Sequence, residues 1–117
     1  RLHDIHRGDV VVFERPPGEP DTSIKDLIKR VIGLSGDTVE GRDCEVLVNG
    51  QALVEPYTDG KCTSTFGPVN VPTGEIFVMG DNRPASQDSR VFGPIDEDLV
   101  VGRAFVIIWP IGRWGWL

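Results

Sequence analysis

Short runs of branched aliphatic residues, broken by Gly, Pro, Asp and Asn, recur along this chain, and the pattern predicts strands rather than helices longer than about two turns. Val10-Val11-Val12-Phe13 is a continuous apolar strand fed by a turn at Arg7-Gly8-Asp9. Arg15-Pro16-Pro17-Gly18-Glu19-Pro20 ends it, because proline removes ladder donors and glycine permits the reversal. Asp26 to Leu34 forms the next and central strand, followed by a turn at Ser35-Gly36-Asp37 and a further strand starting at Thr38-Val39-Glu40. Glu45 to Val54 holds two alternating runs around Asn49-Gly50, which predicts a type I′ hairpin. Glu55 to Pro72, rich in Pro, Gly, Thr and Asp, reads as a surface excursion pinned by Cys62, with Phe66 a candidate to return to the core. Glu75 to Met79 is a strand, Ile95 to Leu99 a single helical turn with acids suited to its start, and Val100 to Trp109 a long final strand interrupted at Gly102-Arg103.

Inside the central strand two adjacent cations interrupt the aliphatics. Alternation puts Leu27, Lys29 and Val31 on one face and Ile28, Arg30 and Ile32 on the other. Lys29 is therefore flanked by apolar neighbours on its own side. Burial disfavours an ammonium and lowers its pKa, which turns a lysine into a neutral amine able to take a proton near pH 7. The competing reading is a strand crossing the rim of a core, with both cationic stems reaching out to water. Taken alone, the segment suits the rim reading better, because rim lysines are far commoner than basic ones.

Composition narrows the picture. A chain of 117 residues supports one domain with a modest core, and 14 Gly and 9 Pro against 8% aromatics favour many turns joining short strands, a mainly β architecture. The net charge of -6 and a pI near 4.8 argue against a nucleic-acid surface, which needs a basic face. The longest apolar run, Ala104 to Ile111, falls far short of the roughly 20 residues that span a bilayer. The first residues have no apolar stretch of the signal-peptide kind, so any export signal or anchor of the native protein lies outside these residues.

Cys44 and Cys62 sit in polar, turn-rich surroundings, are too few for a zinc site, and are not complemented by His3 or His6; no metal or other cofactor is expected. They are either two unrelated thiols or a disulfide. The disulfide is the preferred reading; it would contribute on the order of 3 kcal/mol through loop closure and would place the domain outside the reducing cytosol.

The segment Gly80 to Arg90 packs Asp81, Arg83, Ser86, Asp88, Ser89 and Arg90 into a short span after an apolar strand. Its composition predicts a solvent-facing loop. Polar loops held by a rigid strand often carry chemistry; the plainer alternative is a self-capping turn, with Asp81 and Asn82 bonding their own backbone and Asp88 paired to Arg90.

Together these segments resemble the type I signal peptidases. Gly8-Asp9 with Val10 to Phe13, Lys29-Arg30-Val31-Ile32-Gly33-Leu34-Ser35-Gly36-Asp37, and Gly80-Asp81-Asn82-Arg83 followed by Ser86, Asp88-Ser89-Arg90 and Phe92-Gly93 are similar to three boxes of that family, in order. Val48-Asn49-Gly50 and Val101-Gly102-Arg103-Ala104 are lesser echoes, and the cysteine spacing with the Trp-rich ending is similar to the actinobacterial branch. The resemblance implies a single domain of mostly antiparallel strands with long loops, held outside the cytoplasm at the cell membrane, that removes signal peptides from exported preproteins with a Ser-Lys dyad. Lys29 would be the general base and Ser86 the hydroxyl that holds its amine. Asp88 and Arg90 would form a supporting ion pair, and Leu27 and Ile28 would belong to the strand against which an extended substrate docks by strand addition. Shallow pockets there would accept the small residues of an Ala-x-Ala type cleavage site.

One departure stands out. The family's nucleophilic serine lies upstream of the Gly-Asp box, close to a membrane anchor, and this chain has no serine before Ser23. Ser23, Ser35, Ser64, Ser86 and Ser89 all lack that sequence context, so residues 1–117 are expected to be an inactive extracytoplasmic catalytic-domain fragment, cut behind its nucleophile and its anchor. Two alternatives remain at this point: a non-catalytic signal-peptidase-like binding or scaffolding module, and a related Ser-Lys self-cleaving repressor domain, which the cysteine pair and the long 55–72 excursion disfavour. Trp114 and Trp116 are candidates for contact with membrane headgroups, although tryptophan in a terminal strand is more often core packing.

Overall fold

The computed structural model describes residues 4–14 and 26–103. Among the described residues nine strands carry the fold: β1 (Val10–Glu14), β2 (Asp26–Gly33), β3 (Thr38–Arg42), β4 (Glu45–Val48), β5 (Gln51–Ala52), β6 (Phe66–Asn70), β7 (Glu75–Met79), β8 (Ile95–Asp96) and β9 (Val100–Arg103). They form two antiparallel sheets, one in the order β8-β7-β2-β1-β9 and the other in the order β5-β4-β3-β6. A four-residue helix α1 (Ser89–Phe92) and 3-10 turns at Pro56–Thr58 and Glu97–Leu99 complete the described elements.

Apolar alternation in β2 and β7 builds two cores at once. Val31, Ile76 and Val78 join Val11, Phe13, Ile95 and Val100 on one side of the five-stranded sheet. Ile32, Phe77 and Met79 join Val39, Val46, Val48 and Val71 on the other, where the second sheet packs. Each fully buried Val, Ile or Phe here contributes roughly 1.5–3 kcal/mol. Gly33 marks the junction of the sheets, since a β-carbon there would lie 2.6 Å from Val39 Cγ2. β2 is thus covered on both faces, and its C-terminal half is the most deeply buried.

At the Asn49-Gly50 hairpin both residues have positive φ, +53° and +84°, as a type I′ turn requires. The excursion of residues 55–72 contains structure that its composition hides: Phe66–Asn70 pairs with β3 as β6, across a cis Gly67-Pro68 bond, and Phe66 stacks on Phe77 at 5.5 Å. Gly and Pro mask the strand's alternation. The helical turn expected from Ile95 begins two residues later. Ile95 is a core residue, and Ile95 and Asp96 pair with Ile76 and Glu75 before the Glu97–Leu99 turn. The final strand is described as far as Arg103; Ala104 to Trp109, Ser23, Trp114 and Trp116 lie outside the described residues. Among the described residues no helix is long and apolar enough to cross a membrane.

Candidate active site

β2 outruns its neighbour. β1 pairs with it from Asp26 to Arg30, but β7 accompanies only Arg30, Val31 and Gly33 before the chain leaves through Gly80. Val31 exchanges both of its backbone hydrogen bonds on the β1 side, with Gly8 N–H and Asp9 C=O. By alternation the N–H and C=O of Ile28 point the other way, where no described strand meets them. Among the described residues the segment Leu27-Ile28-Lys29 therefore presents an open edge, and both Leu27 and Ile28 are half-buried.

At the end of that edge Lys29 is 5% exposed, and its Nζ donates to Ser86 Oγ at 2.9 Å. Burial holds the ammonium's pKa below the ordinary lysine value, and the charge of Arg90 acts in the same direction. Asp88 and Asp81 oppose this without cancelling it. An amine so placed is poised to exchange a proton with a hydroxyl at the strand edge.

Arg30, one residue on and facing the other way, is treated differently. Its guanidinium grips Asp81 with two bonds of 2.9 and 2.8 Å, donates to Gly8 C=O at 3.0 Å, and lies 3.9 Å over the Tyr57 ring. Burial works against its charge, but the Asp81 carboxylate more than offsets this and raises its pKa.

The loop after β7 is folded inward. Asp88 is fully buried and accepts from Gly80 N–H at 2.9 Å, Arg90 N–H at 3.0 Å, Arg90 Nε at 2.9 Å and Arg90 NH2 at 2.8 Å, capping α1 as it does so. Burial pushes its carboxyl up, yet these bonds and the Arg90 charge hold it below the usual carboxylate range. Ser89 Oγ accepts from Val78 N–H, so side chains of the loop close the exposed margin of β7. Arg83, 1% exposed, donates to Gly80 C=O at 2.7 Å and Thr63 Oγ1 at 3.0 Å and binds Glu55 with bonds of 3.0 and 2.7 Å. The solvent-facing loop predicted by composition is thus corrected to a partly buried polar one, possible because each charge has a hydrogen-bonded counter-charge.

The structure therefore brings Lys29 and Ser86 together, joins Asp88 to Arg90, and links Cys44 to Cys62 in a disulfide. Ser35 and Ser64 lie elsewhere: Ser35 Oγ donates to Glu75 C=O, and Ser64 Oγ accepts from Arg90. Sequence reasoning missed the partners Asp81 for Arg30 and Glu55 for Arg83, and the Tyr57 ring beneath Arg30. The available signal was that Arg30, alternating with Lys29 into a face shared with Ile32, needed a buried acid. Among the described residues no group of three His, Cys, Asp or Glu side chains could hold a metal.

The fold and this geometry define a β domain with a desolvated lysine set against a hydroxyl at an open strand edge. The chain belongs to the signal peptidase family, peptidase S26, which it matches over residues 1–109. It is 42% identical over 118 residues to the probable signal peptidase I-2 of Synechocystis sp. (strain ATCC 27184 / PCC 6803 / Kazusa), covering 100% of this chain and 54% of that protein. It is also 42% identical to the signal peptidase I of Mycobacterium tuberculosis (strain CDC 1551 / Oshkosh), covering 92% and 53%. A crystal structure of a signal peptidase I from Enterococcus faecalis V583 superposes with a TM-score of 0.74 at 33% identity, covering 89% of this chain and 99% of that one. The chain thus spans about half the length of these two curated relatives.

Proposed function

We propose that residues 1–117 form the extracytoplasmic catalytic body of a signal peptidase I, a serine endopeptidase that removes signal peptides from exported preproteins at the cell membrane. The observation that carries this is the 2.9 Å contact of the buried Lys29 amine with Ser86 at the end of the open β2 edge. In this reading an extended signal-peptide C-terminus adds to Leu27-Ile28-Lys29, with main-chain bonds to Ile28. Lys29, as the neutral amine, takes the proton of a serine hydroxyl as that oxygen attacks the scissile carbonyl. It returns the proton to the leaving amine, and water then releases the acyl chain. Ser86 orients the amine, and the Asp88–Arg90 pair holds the loop that carries Ser86. The attacking serine is not assigned to a residue of this chain, which spans about half the length of each of these two relatives.

The test uses the native-length protein. It should cleave a preprotein bearing an Ala-x-Ala site, and Lys29→Ala should abolish that cleavage while leaving the protein folded. Full cleavage without Lys29 would overturn the assignment.

A further inference from the structure

The segment Cys62-Thr63-Ser64 meets the loop of residues 80–90 at two points. Arg83 NH1 donates to Thr63 Oγ1 at 3.0 Å, and Arg90 NH1 donates to Ser64 Oγ at 3.2 Å. These two arginines flank Ser86 along the chain, and both grip the start of the loop. Arg83 Nε holds Gly80 C=O at 2.7 Å, while Arg90 clasps Asp88, whose Oδ2 accepts Gly80 N–H at 2.9 Å. Gly80 is therefore held through its carbonyl and its amide by groups whose far ends rest on residues 63 and 64.

Those two residues are anchored in turn by a backbone bridge between Thr63 and Cys44 and by a disulfide next to it. Cys44, Cys62 and Ser64 are exposed, and a cleft of about 290 Å³, lined by Cys44, Leu53, Glu55, Thr58 and Thr63 among others, opens beside them. The segment is tied to the β3–β4 turn by the Cys44–Cys62 disulfide and by a Thr63 N–H bond to Cys44 C=O at 3.1 Å. That turn is tight: Asp43 and Cys44 have φ of +53° and +69°, a left-handed conformation that residues with a β-carbon adopt rarely. Thr63 itself is 2% exposed, so its hydroxyl is a buried acceptor aimed at a buried guanidinium.

We propose that Thr63 and Ser64, pinned by the Cys44–Cys62 disulfide, are positioning residues for Ser86 and, through it, for the Lys29 amine. This rests on the peptidase reading of the site but names a part of it that touches neither substrate nor amine. Removing the Thr63 hydroxyl leaves a buried Arg83 N–H without that acceptor, and the loop must shift to satisfy it.

The experiment compares Thr63→Val with Thr63→Ser, alongside the double variant Cys44→Ser/Cys62→Ser. In this chain, Thr63→Val is expected to speed hydrogen exchange at the Gly80 amide about tenfold, with Thr63→Ser restoring the parent rate. In the native-length protein the same change should lower signal-peptide cleavage about tenfold and displace the low-pH limb of kcat/KM, and the double cysteine variant should match it. A folded Thr63→Val with unchanged Gly80 exchange and an unchanged pH limb overturns the proposal, as does a Thr63→Ser equally impaired. If the double cysteine variant does not fold, the Thr63 pair decides alone. Failure of the peptidase reading appears separately, as a parent protein that cleaves nothing while the exchange measurement still reads the loop.

Discussion

The two faces of β2 give adjacent cations opposite fates. Arg30 is half-buried against Asp81, Gly8 C=O and the Tyr57 ring, and its charge is favoured. Lys29 is sealed among Leu27, Val31 and their core, set against a neutral hydroxyl, and its charge is disfavoured. The difference teaches that one strand can hold a cation whose charge is favoured beside one whose charge is disfavoured, because alternation sends them into separate environments. Arginine suits the first task, since it stays charged and bonds in a fork; lysine suits the second, since its proton can leave.

The largest way to break the contrast is to remove the buried Lys29 amine. In the native-length protein Lys29→Met should lower cleavage by roughly 10³-fold or more, while thermal stability stays level or rises because a buried amine has been replaced by an apolar group. A rate measurement paired with a melting curve checks both halves.

Next in size is the support beneath Ser86. Asp88→Ala leaves the Arg90 guanidinium and Gly80 N–H without their buried acceptor, and denaturant unfolding should show a loss of about 3–5 kcal/mol. Because the Asp88 carboxyl is held below its ordinary range, its contribution is complete above the unfolded carboxyl value and disappears as the pH falls through the folded one.

A smaller effect comes from the turn between β2 and β3, where Arg7 binds Asp37 at 2.7 Å and Leu34 N–H and Asn49 Nδ2 also donate to it. Burial works against the Asp37 carboxylate, but these donors bring its pKa down from 3.8 to about 2. Asp37→Asn should therefore cost about 1–2 kcal/mol at neutral pH, an amount reduced because Arg7 is half-exposed. The parent and the variant should converge as the pH drops from 3.8 toward 2, which an acid unfolding series reads directly. Smallest of all is the crosstalk between the two cations. Arg30→Gln frees the Asp81 charge, which favours the protonated form of Lys29, so cleavage at neutral pH should fall by roughly two- to fivefold, with full rescue at higher pH.

Much of this contrast was legible in the residues themselves. The alternation of Leu27, Lys29 and Val31 against Ile28, Arg30 and Ile32 follows from strand geometry alone, and the Asn49-Gly50 hairpin from the backbone those residues tolerate. What stayed hidden depends on partners distant in sequence. Arg83 and Asp88 look like surface residues because their composition is polar; they are buried because Glu55, Thr63, Gly80 and Arg90 satisfy every charge. β6 was obscured by Gly67 and Pro68, and Ile95 by the acids that follow it, although both segments are fixed by pairing to β3 and β7. The likeness to signal peptidases supplied the adjacency of Lys29 and Ser86, 57 positions apart, which no local pattern specifies.

The central claim is that the Lys29 amine gives up its proton more readily than an ordinary lysine. An NMR titration of the chain labelled with nitrogen-15 at lysine Nζ, with Lys29→Met to assign the signal, measures this directly. The account predicts a Lys29 midpoint below the ordinary value of about 10.4. A Lys29 midpoint at or above that ordinary value would contradict it.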